Sequence, residues 1–454
     1  MQKAILFLFT LITALTTTAQ TVTGNWTGKL AVGNTQLTLV FNITKDGNKG
    51  YTCTLDSPDQ GVKNIPANIT VEGDTAITIN IPMLAMTYNG KVDNGTLKGT
   101  FTQNGMSFPL DMNPGKITLN RPQTPEKPYP YMTEEVTFTN ITDSATLNGT
   151  LTYPVNYDEK KKKDTPVVIM VTGSGLQNRD EELFGHKPFL VLSDYLARNG
   201  IASLRYDDRG TGKSTGNTAN LTTESNMRDA LAAISFVRDT GKFGRIGVLG
   251  HSEGGTIAFM LGARDKVDFL ISMAGQGVSG DSLLISQNRA ALTAAGTPAD
   301  MTTAYCTALK SVLASIADGT GINDPERTIT TAIKKTQSNL PPQASANLVK
   351  IIQTATPWMK YFITYDPSAD IKAVKCPVMA INGQKDMQVI ASENLPAIHS
   401  LLPDNNLNTI KEYPGLNHLF QHCTTGMVTE YNQIEETIAP EVLHDITEWI
   451  NKVK

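Results

Sequence analysis

Apolar residues fall at nearly every second position in several short stretches between residues 20 and 115. The alternation is clearest over residues 35–43, 76–81 and 96–101, and turn pairs such as Asp46-Gly47 lie between such stretches. A period of two is typical of β-strands that bury one face, and the turn pairs favour hairpins. The pattern predicts an all-β N-terminal domain, a sandwich or a small barrel, over residues 20–115.

The pattern changes after this region. Residues 113–130 carry five prolines without periodicity, which predicts an extended linker at residues 116–130. From residue 131 to residue 454, apolar stretches alternate with segments of helical spacing; the strand-like stretches include residues 167–171, 202–206, 246–249 and 269–273. Strands that are apolar on both faces belong to buried parallel sheets. We therefore expect an α/β domain with a mostly parallel, doubly wound sheet.

One short motif lies where the strand of residues 246–249 meets a helix-like segment. Residues 250–254 read Gly-His-Ser-Glu-Gly, the G-x-S-x-G pattern of a nucleophile elbow. The glycines leave room for a strained turn that lifts the serine clear of the sheet. The N-terminus of the following helix also favours the anion that forms in acyl transfer. The motif predicts that Ser252 is a catalytic nucleophile.

A serine nucleophile needs a histidine that accepts its proton. His418 lies in a loop-like segment after the strand-like residues 408–412, where the base of such enzymes is expected. His422 is an alternative, whereas His399 and His444 fall in helix-like segments and His251 belongs to the elbow itself. We therefore predict His418 as the general base.

The histidine in turn needs an acid that holds its tautomer. Asp386 follows the strand-like residues 378–381 and stands between Ser252 and His418 along the chain. Catalytic groups in open α/β sheets gather at the carboxyl ends of the strands. A turn-forming aspartate is the alternative for this residue taken by itself. Its position completes a predicted triad of Ser252, Asp386 and His418.

The loop after residues 167–171 reads Thr-Gly-Ser-Gly-Leu-Gln-Asn-Arg-Asp over residues 172–180. Its glycines let backbone amides approach a substrate oxygen, as an oxyanion hole requires. We expect one amide donor at Glu253, the residue after the nucleophile, and a second at Ser174 or Gly175. A phosphate-binding loop is the alternative, but this loop has no Lys-Ser or Lys-Thr pair of a nucleotide site.

Taken together and in this order, these motifs resemble those of the α/β-hydrolase superfamily. The matching segments are residues 173–175 and 177–180, 208–214, 250–255, 383–386 and 415–418. They are most similar to bacterial carboxylesterases close to the prolyl-oligopeptidase and serine-aminopeptidase lineages. The resemblance covers residues 130–454 and implies an α/β-hydrolase fold. Thr172 departs from the pattern, because many relatives have histidine there, and the β domain lies outside the resemblance.

A long segment separates the strand that ends near residue 274 from the strand that begins near residue 377. It is far longer than an ordinary connection, and it contains helix-like stretches. In hydrolases that resemble this chain, an insertion here forms a cap, so the resemblance implies a helical cap at residues 276–370. Trp358, Tyr361 and Phe362 are candidate substrate-pocket residues, or alternatively pack within the cap.

The N-terminus has the layout of a signal peptide: Lys3, an apolar run at residues 4–9, and small residues up to Ala19. We expect cleavage near Ala19 and a secreted or periplasmic protein without stable membrane insertion.

The net charge of −4 gives no field that would recruit nucleic acid. We predict no cofactor and no metal, because the four cysteines are too scattered for a zinc site; a disulfide is left open.

Three functions remain after these arguments. The leading one is a serine carboxylesterase that acts on a small-molecule ester. A serine peptidase would use the same triad, but an aminopeptidase also needs acidic groups for a substrate ammonium, and the sequence assigns none. A non-catalytic binding protein on a hydrolase scaffold is the third. The β domain has no histidine, and we expect it to supply no catalytic group.

Overall fold

The computed structural model describes residues 21–32, 35–47, 50–73, 75–115, 119–264, 267–320, 324–336 and 340–453. The predicted signal peptide, residues 1–19, lies outside the described residues. The chain forms two compact units, Met1–Leu119 and Asn120–Lys454. Residues 120–130 are therefore part of the second unit. There, Arg121 donates hydrogen bonds to the backbone carbonyls of Phe184 and Asn432.

The first unit is an antiparallel sheet, and among its first eight strands each one pairs with its neighbours in the chain. Its strands are β1 Gly24–Val32, β2 Thr35–Asp46, β3 Gly50–Ser57, β4 Val62–Glu72, β5 Ala76–Ile81, β6 Met86–Asp93, β7 Thr96–Gln103, β8 Met106–Pro109 and β9 Asn113–Pro114. β9 returns to pair with β1, while the neighbouring Met112 bridges to Leu97 of β7. These pairings close the sheet, and Phe41, Ile79 and Tyr88 fill its core.

The second unit contains a mixed sheet of eight strands in the order β10-β11-β13-β12-β14-β15-β16-β17. The strands are β10 Thr133–Asn140, β11 Ala145–Thr152, β12 Pro166–Val171, β13 Ala202–Tyr206, β14 Arg245–His251, β15 Phe269–Met273, β16 Val378–Gly383 and β17 Thr409–Tyr413. β11 pairs antiparallel with β10 and β13, and all other pairs are parallel. This is the α/β-hydrolase type of sheet that the resemblance implies.

Helices cover both faces of this sheet because its strands are apolar on both sides. In β12, Val168 and Met170 join one core while Val167, Ile169 and Val171 join the other. α1 Pro188–Arg198 and α11 Pro440–Val453 pack on the first face; α2 Thr223–Thr240, α3 Glu253–Arg264 and α10 Ala391–Leu401 pack on the second. None of the described helices has the length and apolar composition of a membrane span.

Between β15 and β16 the chain forms a run of helices. These are α4 Gly280–Ala294, α5 Ala299–Asp318, α6 Pro325–Thr336, α7 Pro342–Gln353, α8 Pro357–Thr364 and α9 Ser368–Ala373, called the inserted helices below. Leu283, Val312 and Phe362 continue the core of the first sheet face into them. Elsewhere, the four cysteines are free thiols.

Candidate active site

Ser252 occupies the sharp turn between β14 and α3. Its φ angle of +54° lies in the left-handed region that side-chain-bearing residues rarely adopt. The backbone approaches itself closely here: a Cβ at Gly250 would lie 1.9 Å from the carbonyl oxygen of Gly254, and one at Gly254 would lie 2.1 Å from that of Val171. Only glycine fits at either position. The turn is a nucleophile elbow in its structural detail.

Asp386 and His418 form a buried pair at the carboxyl ends of β16 and β17. His418 Nδ1 lies 2.7 Å from Asp386 Oδ2, and both residues are under 5% exposed. The second carboxylate oxygen, Oδ1, accepts hydrogen bonds from the backbone amides of Gln388 and Val389 at 2.7 and 2.9 Å. These amides fix the position of the carboxylate, and its Oδ2 in turn orients the His418 ring through Nδ1.

Hydrogen bonds to the Asn417 side chain brace the loop that carries His418. Asn417 Oδ1 accepts from the amides of Leu419 and Gln421, each at 3.0 Å. His422, the alternative base, points to a different partner: its Nδ1 lies 2.9 Å from Glu436 Oε2, and its side chain is 57% exposed. Of the two histidines, only His418 contacts the predicted acid.

Among the described residues, no hydrogen bond joins Ser252 to His418. Catalytic hydrogen bonds are often long in free enzymes and shorten when substrate binds. The two loops are nevertheless connected, because His251 Nε2 lies 2.9 Å from the carbonyl oxygen of His418 and the two imidazole rings lie 4.8 Å apart. His251 thus ties the elbow to the loop of the predicted base.

A buried carboxylate that the sequence reasoning missed, Glu181, holds His251 from the other side. Glu181 Oε1 lies 3.1 Å from His251 Nδ1 and accepts from the amide of Gly173 at 2.7 Å. Burial alone would lower the pKa of His251, but the charge and hydrogen bond of Glu181 outweigh it and raise that pKa. The sequence gives one indication of this role, which is that Glu181 directly follows the motif of residues 177–180.

The two backbone amides predicted to bind an oxyanion make no hydrogen bond of their own among the described residues. Neither the amide of Ser174 nor that of Glu253 donates a hydrogen bond within the described part of the chain, and both residues line the same cavity as Ser252. The amide of Gly173 is already bonded to Glu181. Gly175, the other candidate donor, lines a neighbouring groove instead. Of these two candidate donors, only Ser174 lines the cavity that contains Ser252.

Asp208 forms hydrogen bonds to both ends of the loop at residues 172–177. Its carboxylate accepts from Thr172 Oγ1 at 2.9 Å and from the amide of Gln177 at 2.8 Å. Beside it, the guanidinium of Arg179 bonds to Asp207, with 2.7 Å between Nη2 and Oδ2. The motifs at residues 177–180 and 208–214 therefore brace one another. Thr172, the departure from the family pattern, serves this bracing through its hydroxyl.

Asp208 should make stability depend on pH. Burial raises its pKa to about 7, against the opposing hydrogen bonds from Gln177 and Thr172. The folded protein therefore holds this proton more tightly than the unfolded chain, so Asp208 contributes stability below about pH 4 that is lost as the pH rises through about 7. We therefore compare the melting temperatures of wild type and Asp208→Asn at each pH. The melting temperature of wild type minus that of the variant should fall as the pH rises from about 4 to about 7 and stay constant above that.

The control for this prediction is Asp239→Asn, which removes a carboxylate from the exposed face of α2. Melting curves of the three proteins between pH 4 and pH 8 provide the comparison. A difference between wild type and Asp208→Asn that stayed constant across the window would contradict the prediction.

A cavity of about 180 Å³ opens beside Ser252. Five residues of the inserted helices line it, namely Leu283, Leu284, Gln287, Trp358 and Phe362. The rest of the lining comes from the elbow, from the start of α3 and from the loops that follow the strands, and consists of Ser252, Glu253, Thr256, Ser174, Gln276, Gln388 and Val389. Trp358 and Phe362 are four residues apart and share one face of α8. Tyr361 does not line the cavity; its hydroxyl lies 3.3 Å from Glu224 and its ring stacks on Tyr365.

An elbow serine, an oriented histidine and free amides, carried on this sheet, define a serine hydrolase of the α/β-hydrolase superfamily. Comparison with known families agrees. Residues 117–422 match the family described as X-Pro dipeptidyl-peptidase (S15 family), and the chain belongs to that family.

Individual relatives include esterases and a peptidase. Esterase EstD of Thermotoga maritima is 30% identical over 128 residues, which are 28% of this chain and 30% of that enzyme, so the chain spans less than a third of its length. An esterase structure from Pyrococcus furiosus has 16% identity and a TM-score of 0.43, covering 74% of this chain and 99% of its own. Proline iminopeptidase from Mycobacterium smegmatis has 15% identity and a TM-score of 0.42, covering 70% and 98%.

Proposed function

We propose that the protein is a serine carboxylesterase that cleaves esters through an acyl-enzyme on Ser252. The observation that carries this proposal is the cavity in which the Ser252 side chain lies together with the unpaired amides of Glu253 and Ser174. An acyl-transfer site needs a nucleophile and oxyanion donors in one place. The buried Asp386–His418 pair supplies the base.

The reaction then has two stages. His418 takes the proton of Ser252 as its oxygen attacks the ester carbonyl, and the amides of Glu253 and Ser174 bind the resulting oxyanion. The tetrahedral adduct collapses, the alcohol leaves with the proton from His418, and the acyl group stays on Ser252. A water that His418 deprotonates next attacks the acyl-enzyme. The second adduct collapses and releases the acid, and His418 returns the proton to the Ser252 oxygen.

A serine peptidase is the second candidate, because the family is named for one and a carboxylate, that of Glu253, lines the cavity. A substrate ammonium would need that carboxylate as its partner. Both oxygens of Glu253, however, accept from Trp358 Nε1, at 2.9 and 3.0 Å. Glu253 is also only 3% exposed, so little of its carboxylate is open to a substrate ammonium, and this favours the esterase.

Matched substrates distinguish the two candidates. We expect the protein to hydrolyse p-nitrophenyl esters of short carboxylic acids and to leave alanyl and prolyl p-nitroanilides nearly uncut. A p-nitrophenyl ester of alanine, tested beside that of propionic acid, separates the effect of the ammonium from that of the leaving group. Faster cleavage of the anilides than of the esters would establish the peptidase instead.

We further propose that the inserted helices act as a cap over Ser252, since five of their residues line its cavity. We also propose that the β unit supports the catalytic unit without contributing a catalytic group.

Secretion is proposed from the layout of residues 1–19. N-terminal sequencing of protein recovered from the extracellular or periplasmic fraction tests it, and a mature protein that began at Met1 would contradict it.

A further inference from the structure

Trp358 separates two spaces on either side of the candidate active site. The first is the cavity of about 180 Å³ that contains Ser252, called the Ser252 cavity. The second is a wider groove of about 470 Å³ lined by Ser174, Gly175, Leu176, Thr218, Ala219, Leu221, Asn226, Thr356, Pro357 and Trp358, called the Leu176 groove. The two share only Ser174 and Trp358. An ester bound at Ser252 would therefore place its two halves on opposite sides of the indole.

The indole is held in place from three directions. Its Nε1 donates to both oxygens of Glu253, and its ring stacks on Phe362 with 5.1 Å between centroids. Its helix begins at Thr356, whose hydroxyl accepts from the amide of Met359 at 3.2 Å. Because Glu253 directly follows Ser252, the partition is anchored to the nucleophile elbow itself. A wall fixed in this way limits what each space admits.

The lining of the Ser252 cavity contains a side-chain amide whose oxygen is free to accept a hydrogen bond. Gln276 is 2% exposed, and its Nε2 is fully enclosed without a hydrogen-bond partner in the described part of the chain. The amide oxygen is therefore the polar atom that this side chain offers to the cavity. A substrate hydroxyl placed in this cavity would donate to that oxygen. The Leu176 groove, by contrast, is lined mainly by small, apolar and hydroxyl side chains, with Leu176 51% exposed.

Each space suits one half of an ester. The acyl group remains bonded to Ser252 after the alcohol has left, so it belongs in the cavity that contains Ser252. A volume of about 180 Å³ holds roughly six water-sized groups, which is a short acyl chain. The alcohol must depart, and the wider Leu176 groove gives it both room and an apolar surface.

We propose that the Ser252 cavity is an acyl subsite for short acyl groups that carry a hydroxyl group bound by the side-chain oxygen of Gln276. Trp358 is the wall that excludes longer chains, and the Leu176 groove is the site of a larger apolar alcohol. The proposal rests on the proposed esterase function and names its substrate class.

The test for the oxygen uses a pair of acyl groups of the same shape. 1-Naphthyl esters of 3-hydroxybutyrate and 3-methylbutyrate differ by a hydroxyl in place of a methyl group. We expect wild type to prefer the hydroxy ester by about tenfold in kcat/KM, the value of one hydrogen bond. Gln276→Leu should bring that ratio close to one. An unchanged ratio in Gln276→Leu, or no preference in wild type, would overturn this part.

The test for the wall uses chain length. We expect wild type to cleave 1-naphthyl butyrate far faster than 1-naphthyl octanoate, and Trp358→Ala to raise the octanoate-to-butyrate ratio by about tenfold or more. Trp358→Phe keeps most of the ring and should stay near wild type in this ratio. Lys360→Ala, an exposed change on the same helix, is the control. An octanoate-to-butyrate ratio in Trp358→Ala equal to that of Lys360→Ala would overturn the wall.

Probe labelling and ester hydrolysis distinguish an incorrect subsite from an incorrect function. A fluorophosphonate probe that labels Ser252, together with hydrolysis of any ester in the panel, would keep the esterase while the two ratios decide the subsite. If neither labelling nor ester hydrolysis occurs in folded wild-type protein, the proposed function fails and the subsite fails with it. Melting curves for each variant establish that it is folded.

Discussion

Replacing Ser252 with alanine should reduce ester turnover by roughly 10⁴ to 10⁶-fold. The serine oxygen forms the covalent bond in the proposed mechanism, and alanine leaves only the free amides and the cavity to favour the reaction. The elbow itself should persist, because Gly250 and Gly254 supply the space it needs, and alanine removes only one atom. The loss should therefore appear in kcat with little change in the melting temperature.

Steady-state kinetics on p-nitrophenyl butyrate, with stringent removal of contaminating wild-type enzyme, give the measurement. Ser235→Ala is a matched control, since it removes a hydroxyl from the exposed face of α2, outside the site. We expect that variant to retain most of its activity. Wild-type turnover in Ser252→Ala would show that another residue is the nucleophile.

Asp386→Asn should lower kcat by about 10³ to 10⁴-fold with the fold intact. Asparagine can keep its oxygen on the amides of Gln388 and Val389, which now bond to Asp386 Oδ1. Its NH₂ group would then face His418 Nδ1, where Asp386 Oδ2 accepts in the wild type. The imidazole would move its proton to Nε2 and could no longer accept one from Ser252.

The same kinetics on Asp239→Asn control for loss of one carboxylate elsewhere in the unit. That residue lies on the exposed face of α2, and we expect wild-type activity from it. Turnover of Asp386→Asn within a few-fold of wild type would assign the acid to a different residue.

Much of this architecture could be read from the sequence because its signals are local. Three strands have apolar patterns that predict a strand without any other information. They are β5, β13 and β15, at residues 76–81, 202–206 and 269–273, and the structure has them with those bounds. The elbow is equally local, since its two glycines and the serine lie within five residues. Ser252, His418 and Asp386 follow from the order of such segments along the chain.

The supporting contacts could not be read in this way. Glu181 lies 70 positions from His251 in the chain, yet it holds the histidine that touches the loop of His418. Asp208 braces a loop 36 positions before it. Nothing in the residues around either carboxylate marks it as buried. Their roles arise from the parallel order of β12, β13 and β14, which brings the ends of three distant strands to one edge.

The aromatic cluster of α8 shows the same limit on a smaller scale. The sequence offered Trp358, Tyr361 and Phe362 as equal candidates for a pocket, because it did not indicate which face of the helix would meet the cavity. The helix directs Trp358 and Phe362 to Ser252, while Tyr361 reaches Glu224 on α2. Which face turns inward depends on the packing of the inserted helices, and that packing is set by contacts distant in the chain.

Covalent labelling tests directly whether Ser252 is the nucleophile of a serine hydrolase. The most direct measurement is to treat the full-length folded protein with a fluorophosphonate probe and to locate the modified residue by mass spectrometry of its peptides. We expect a single adduct on Ser252, its loss in Ser252→Ala, and strongly slowed labelling in Asp386→Asn. An adduct on another serine, or rapid labelling that survives Ser252→Ala, would contradict this assignment.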